Sequence, residues 1–105
     1  MGGQQTLKLG RRRGWNTCYT EKIIIHEFIH AIGYTHEQNR FDRDSYIEIN
    51  WENVKNGKNN TNFRKVNKKW LTFKTTYDGK SVMQYKSTLS SINGKNTMIS
   101  LVCLL

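Results

Sequence analysis

Eleven consecutive residues, His26-Glu27-Phe28-Ile29-His30-Ala31-Ile32-Gly33-Tyr34-Thr35-His36, set metal-ligating side chains and a carboxylate at spacings that a helix and a turn can use. They read H-E-x-x-H-x-x-G-x-x-H. Positions four apart on an α-helix lie on one face, a turn apart, so His26 and His30 can aim two imidazoles at one point. Glu27 follows the first of them directly and leaves that face. It is placed to hold a water molecule beside a metal, not to ligate it. Gly33 stands where such a helix must stop, because a left-handed residue turns the chain sharply there and glycine takes that conformation at little cost. The turn returns His36 as a third ligand. Three protein nitrogens leave a fourth position open, the pattern of catalytic and not of structural zinc. A water on such a zinc has its pKa lowered to roughly 7, and Glu27 can take its proton as it attacks a carbonyl. The chemistry implied is hydrolysis. The pentapeptide H-E-x-x-H alone also describes an amphipathic core helix with histidines on its polar edge. Gly33 and His36 at their offsets argue against that.

The extended motif resembles that of the metzincin zinc peptidases, and the residues after it narrow the likeness. Glu37-Gln38-Asn39-Arg40-Phe41-Asp42-Arg43-Asp44-Ser45-Tyr46 closely resembles the astacin family, which carries H-E-Q-x-R-x-D-R-D-x-Y here. Ser81-Val82-Met83-Gln84-Tyr85 is similar to that family's Met-turn, S-x-M-H-Y, with Gln84 where histidine is commoner. A looser likeness covers Gly3 to Gly10 and Ser91 to Ile99, so that it runs from about residue 2 to about residue 99 and leaves 100–105 unmatched. The resemblance implies a zinc metalloendopeptidase with an α+β, metzincin-like catalytic domain, a central zinc-binding helix and a Met-turn. It implies one Zn²⁺ per chain, held by His26, His30 and His36, with Tyr85 as an additional ligand that swings away during catalysis. Glu27 is then the general base, Tyr85 also helps stabilise the oxyanion, and Met83 is a hydrophobic floor beneath the metal. The implied partner is a protein or peptide substrate, and the implied location is extracellular. In the family, the residue matched by Glu37 meets the N-terminus released by propeptide removal.

At 105 residues the chain is long enough for one modest core. The family's catalytic domain is considerably longer, so residues 1–105 are expected to be part of such a domain, lacking the N-terminal lobe that walls the substrate cleft. An alternative therefore stands beside the peptidase: a catalytically silent zinc-binding or basic adhesive fragment. No apolar run marks a secretory signal, and no segment reaches the length of a membrane span. The two cysteines point only weakly to an oxidising compartment. By resemblance Cys18 matches a half-cystine whose partner would lie before Met1; two free thiols are expected, with a Cys18–Cys103 bridge as the alternative.

The formal charge is +9. Lys8, Arg11, Arg12 and Arg13 form one basic cluster, and Lys55, Lys58, Arg64, Lys65, Lys68 and Lys69 a looser one leading to Trp70 and Phe73. Such charge suits a solvated surface or loose association with polyanions, and no nucleic-acid-binding signature accompanies it, so neither nucleic acid nor membrane is expected as a partner.

The remaining elements follow from periodicity. Residues 4–9 alternate as a strand, with Gln5, Leu7 and Leu9 on one face, and 10–14 form a loop. A helix is expected from about Thr20, its N-cap, to Ile32; apolar residues around much of its girth mark it as central and buried. The β-branched run Ile23-Ile24-Ile25 favours a strand by propensity, and the metal geometry overrules it. Arg40, Asp42, Arg43 and Asp44 are expected to form a structural framework of salt bridges. Tyr46, Ile47 and Ile49 read as extended, residues 50–54 with Phe63 and Val66 as a short helix and a turn, and Asp78-Gly79 as a turn before the Met-turn. Asn59-Asn60-Thr61 is an N-glycosylation sequon, with meaning only in a secreted protein.

Overall fold

The β-branched run at residues 23–25 does lie in a helix, because neighbouring turns and both helix ends support one. A computed structural model describes residues 6–7, 20–70 and 75–102, in two units, Met1–Thr35 and His36–Leu105. The first unit holds α1 (Glu21–Ala31). Thr20 is extended (φ −73°, ψ 140°), and its carbonyl accepts from the amides of Ile23 at 3.0 Å and Ile24 at 3.1 Å, while its side chain makes no cap bond. Glu21 sits in the first turn, where a carboxylate complements the helix dipole.

The far end is closed by two reverse bonds. The Gly33 amide donates to the His30 carbonyl at 2.9 Å, and the Tyr34 amide to the Ile29 carbonyl at 3.2 Å. This is the Schellman pattern, and Gly33 supplies the left-handed residue it requires, at φ +102°.

One expectation fails here. The helix is not buried: none of its residues falls in the buried class, and Phe28 is 58% exposed. A helix apolar on several sides needs neighbours on several sides, and the buried hydrophobic cluster of the chain is built instead from residues 47–98. The strand and loop expected over 4–14, both cysteines, the Lys8–Arg13 cluster and Phe73 lie outside the described residues, except Thr6 and Leu7, which belong to no regular element.

The second unit is a small sheet surrounded by tight turns. Strand β1 (Ile47–Ile49) pairs antiparallel with β2 (Met98–Ser100), Ile47 facing Ser100, Glu48 facing Ile99 and Ile49 facing Met98. The pairing runs on at both ends, through Asn50 to the Thr97 carbonyl and Leu101 to the Tyr46 carbonyl, each at 2.9 Å. The alternation in β1 buries Ile47 and Ile49 and exposes Glu48. They join Val54, Phe63, Tyr77 and Met98 in the core, where Phe63 is 2% exposed and meets the Trp51 ring edge-on at 5.7 Å. Helix and antiparallel sheet together make the described fold α+β.

The short helix expected over residues 50–54 is the 3₁₀ turn Trp51–Asn53, and two more such turns follow, Gly57–Asn59 and Thr61–Phe63. Asn56 and Gly57 both have positive φ, 64° and 52°, which stops helical propagation after the first turn.

A polar framework replaces apolar packing around residues 37–46. The Arg40 guanidinium, 8% exposed, grips Asp42 with two bonds of 2.9 Å, reaches Glu37 at 3.1 Å and donates to the Thr75 carbonyl at 2.8 Å. Its hydrogen bond to Asp42 chiefly raises the arginine pKa, and the same bond lowers that of Asp42. Arg43 donates to the carbonyls of Gln38 and Phe63 and pairs with Asp44, which Lys65 also contacts at 2.7 Å. The Asp44 carboxyl is held below the usual range, first by Lys65 and then by Arg43. The salt-bridge framework expected at these four residues is thus present.

Candidate metal centre

The helix brings His26 and His30 together as their spacing requires. Their Nε2 atoms lie 3.1 Å apart, the rings meeting nearly at right angles with centroids 4.7 Å apart. His30 Nδ1 lies 2.8 Å from the Tyr34 carbonyl. A carbonyl can only accept, so Nδ1 carries the proton and Nε2 keeps its lone pair for a ligand. Gly33 therefore acts twice: the turn it permits closes the helix, and it delivers the carbonyl that sets the His30 tautomer.

His36 begins the second unit. It caps the 3₁₀ turn Glu37–Asn39, its carbonyl accepting from Asn39 at 3.1 Å, and its ring lies over that of Tyr85 with centroids 4.2 Å apart. Two imidazoles on one tetrahedral zinc, at about 2.0–2.1 Å each, hold their nitrogens about 3.3 Å apart. The His26–His30 separation of 3.1 Å approaches that value. Neutral nitrogen donors of this kind suit zinc.

Glu27 follows His26, roughly 100° further round the helix, and is half-buried. Met83 is 4% exposed, and its carbonyl accepts from the Glu37 amide at 3.1 Å, which ties the segment 81–85 to the residue after His36. Ser81 closes the turn from Asp78 at 3.1 Å, and the Lys80 amide donates to the Asp78 side chain at 2.9 Å, as the Asp-Gly pair foretold. Glu37 is engaged within the framework, accepting from Arg40 and, at 2.8 Å, from the Asp78 amide.

The Tyr85 backbone is held at both ends by side chains that the sequence did not single out. Its amide donates to Gln38 Oε1 at 3.3 Å, and its carbonyl accepts from Gln84 Nε2 at 3.1 Å. Gln84 also accepts from the Tyr77 hydroxyl. Burial pushes the Tyr77 phenol up to about 12, with the Glu37 carboxylate adding to the effect, so it stays protonated and remains a donor. Gln38 is fully buried, and its Nε2 has no partner among the described residues. The Gln38–Tyr85 bond spans 47 positions, and no local pattern announces it.

The model of the peptidase family Astacin matches residues 1–103. The chain belongs to the astacin family. Among astacin relatives, it is 41% identical over 98 residues to the zinc metalloproteinase nas-6 of Caenorhabditis elegans, covering 92% of this chain and 27% of that protein. With high choriolytic enzyme 1 of the medaka Oryzias latipes it shares 44% identity over 91 residues, 87% of this chain and 31% of the relative. The chain thus spans about a quarter to a third of the length of these curated relatives. The solved structure of that hatching enzyme, a zinc-protease, superposes with a TM-score of 0.71 at 38% identity, over 86% of this chain and 44% of the other. The astacin hatching-enzyme fold is therefore the fold of this chain, and zinc is the metal that its family uses.

Proposed function

We propose that this chain carries the metal site of a secreted zinc metalloendopeptidase of the metzincin type, acting on protein or peptide substrates. The reading is supported above all by the His26–His30 pair on α1, their Nε2 atoms 3.1 Å apart, followed in the motif by His36. These three would hold Zn²⁺ as neutral imidazoles, with α1 as the zinc-binding helix and residues 81–85 as the Met-turn. Zinc, when bound, supplies Lewis acidity toward a water molecule and the scissile carbonyl. Glu27 accepts the proton of the attacking water and returns it to the departing amine. The Tyr85 phenol would be an additional holder of the metal, and as a hydroxyl donor it would stabilise negative charge developing on the carbonyl oxygen. Its backbone, gripped by Gln38 and Gln84, limits how far the side chain must search for that position.

Glu27→Gln should retain zinc and lose hydrolysis of a quenched fluorescent peptide; retained cleavage would remove Glu27 from the role of base. A second reading, zinc binding or polyanion adhesion without hydrolysis, draws support from the exposed apolar side chains of α1 and the exposed cations of residues 55–69. Heparin retention that survives chelation of zinc, together with no peptide cleavage, would favour it.

A further inference from the structure

Asn59, Asn60 and Asn62 crowd the turns that lead to Phe63, and the last two are committed to holding those turns. Asn60 Nδ2 donates to the Lys55 carbonyl at 2.9 Å, and Asn60 Oδ1 accepts from the Asn62 amide at 3.0 Å. Asn62 Nδ2 donates to the Ser90 hydroxyl at 2.9 Å. Asn59 differs. It is exposed at the end of the Gly57–Asn59 turn, and its side chain makes no hydrogen bond with any described residue. It is also the one in register with a hydroxyl two residues on, Thr61, itself exposed. Between them Asn60 is extended (φ −71°, ψ 115°) and links two single turns, so the segment has no long hydrogen-bonded ladder to break when an enzyme engages it. No proline interrupts the tripeptide.

We infer that Asn59 is a site of N-linked glycosylation. The inference rests on the secretory route proposed above. The acceptor is the Asn59 side-chain amide, and the co-reactant is a lipid-diphosphate-linked oligosaccharide in the secretory lumen. A bond forms between Nδ2 and C1 of the first sugar, while the bond from C1 to the diphosphate oxygen breaks. The lipid diphosphate leaves with that electron pair, and Nδ2 gives one proton to the transferase. Lys58 on one side and Arg64 and Lys65 on the other, all exposed, would then flank a neutral, hydrated glycan. The anchoring bonds of Asn60 and Asn62 are untouched by the reaction, so the turns that present the site persist after modification.

The test supplies the route itself, which separates this inference from the native location. The full chain is expressed in a eukaryotic host behind a cleavable secretory signal, and its intact mass is read before and after treatment with a peptide-N-glycosidase. One glycan, removed by the enzyme with conversion of Asn59 to Asp, is expected. It should be absent from Asn59→Gln and Thr61→Ala and retained in Thr61→Ser. A control, Lys86→Asn in the Asn59→Gln background, creates a second sequon at an exposed position. An unmodified parent chain beside a glycosylated control would overturn the inference, as would a glycan that persists in Asn59→Gln.

Discussion

Replacing Gly33 by Ala isolates the contribution of one backbone angle to metal binding. Gly33 has φ +102°, and a Cβ added there would meet nothing within 4 Å. The cost is therefore torsional and not steric, about 1–2 kcal/mol for a left-handed L-residue. In the metal-free chain alanine can relax to negative φ, giving up the Gly33–His30 and Tyr34–Ile29 bonds at a helix end that is already exposed. Binding of zinc by His36 together with His26 and His30 requires the turn again, so the torsional cost appears in the affinity. Zinc affinity should fall by a factor of about 5–30. The Tyr34 carbonyl that orients His30 moves with the same turn, so the loss belongs at the upper end of that range. Gly33→Asn, which tolerates left-handed geometry better, should lose less. The assay is competition against a chromophoric zinc chelator, with far-ultraviolet circular dichroism confirming that α1 persists. Zinc affinity unchanged in Gly33→Ala would refute the argument that the turn sets the third ligand.

Three further outcomes follow from the described geometry. His36→Ala should abolish or greatly weaken a stoichiometric zinc site, read by metal analysis after gel filtration; one tightly held zinc in the variant would displace His36 from the ligand set. Phe63→Ala removes the most buried apolar side chain and should destabilise the chain by about 3–5 kcal/mol in chemical denaturation. A loss below about 1 kcal/mol would mean that the cluster around Ile47 and Met98 does not depend on it. Asp42 has a folded pKa lowered mainly by its bond to Arg40, so its contribution is complete above the unfolded value of about 4 and is lost as pH falls through the folded value. Asp42→Asn should therefore be less stable near neutrality and show a shallower loss below about pH 4; parallel acid limbs for the two proteins would exclude this carboxylate as a source of acid sensitivity.

The parts of this molecule that were legible in the sequence are those governed by short-range geometry. Four-residue spacing on a helix placed His26 beside His30, a glycine foretold the helix end, and Ile47 and Ile49 read as extended where the strand β1 lies. Asp78-Gly79 announced its turn for the same reason. Legibility failed where the outcome depends on distant chain. The short helix expected over residues 50–54 is a single 3₁₀ turn, Trp51–Asn53, and the left-handed pair Asn56-Gly57 that follows it is one the Asn-Gly dipeptide itself could have signalled. The apolar girth of α1 called for burial, but burial is decided by which neighbours exist, and periodicity counts only the helix. Gln38 and Asn39 carry no signal in composition or period; their worth lies in bonds to residues far along the chain, such as the pair from Asn39 Nδ2 to the carbonyls of Asn62 and Arg64, each at 2.8 Å.

Those long-range bonds explain why residues 37–44 contain so many charges in so short a span. Glu37, Arg40 and Arg43 each answer a main-chain group far along or outside their own turn. Arg43 collects the carbonyls of Gln38 and Phe63, Arg40 that of Thr75, and Glu37 the amide of Asp78. Buried backbone groups must find partners, and a chain folded mainly into single turns offers few from its own ladders. The charged side chains replace a missing sheet. The segment that begins at His36 is joined to the segment that ends at Tyr85 by the Glu37 amide, which donates to the Met83 carbonyl, and by the Gln38 side chain, which accepts from the Tyr85 amide. The His36 and Tyr85 rings meet across that junction, tilted by 36°. Two different devices thus prepare the proposed ligands: a helix face sets His26 and His30, and a salt-bridged loop sets His36 and Tyr85. Only the first is local enough to be written in a motif's spacing, and the second requires the intervening chain to be in place before the motif's last histidine has a defined direction.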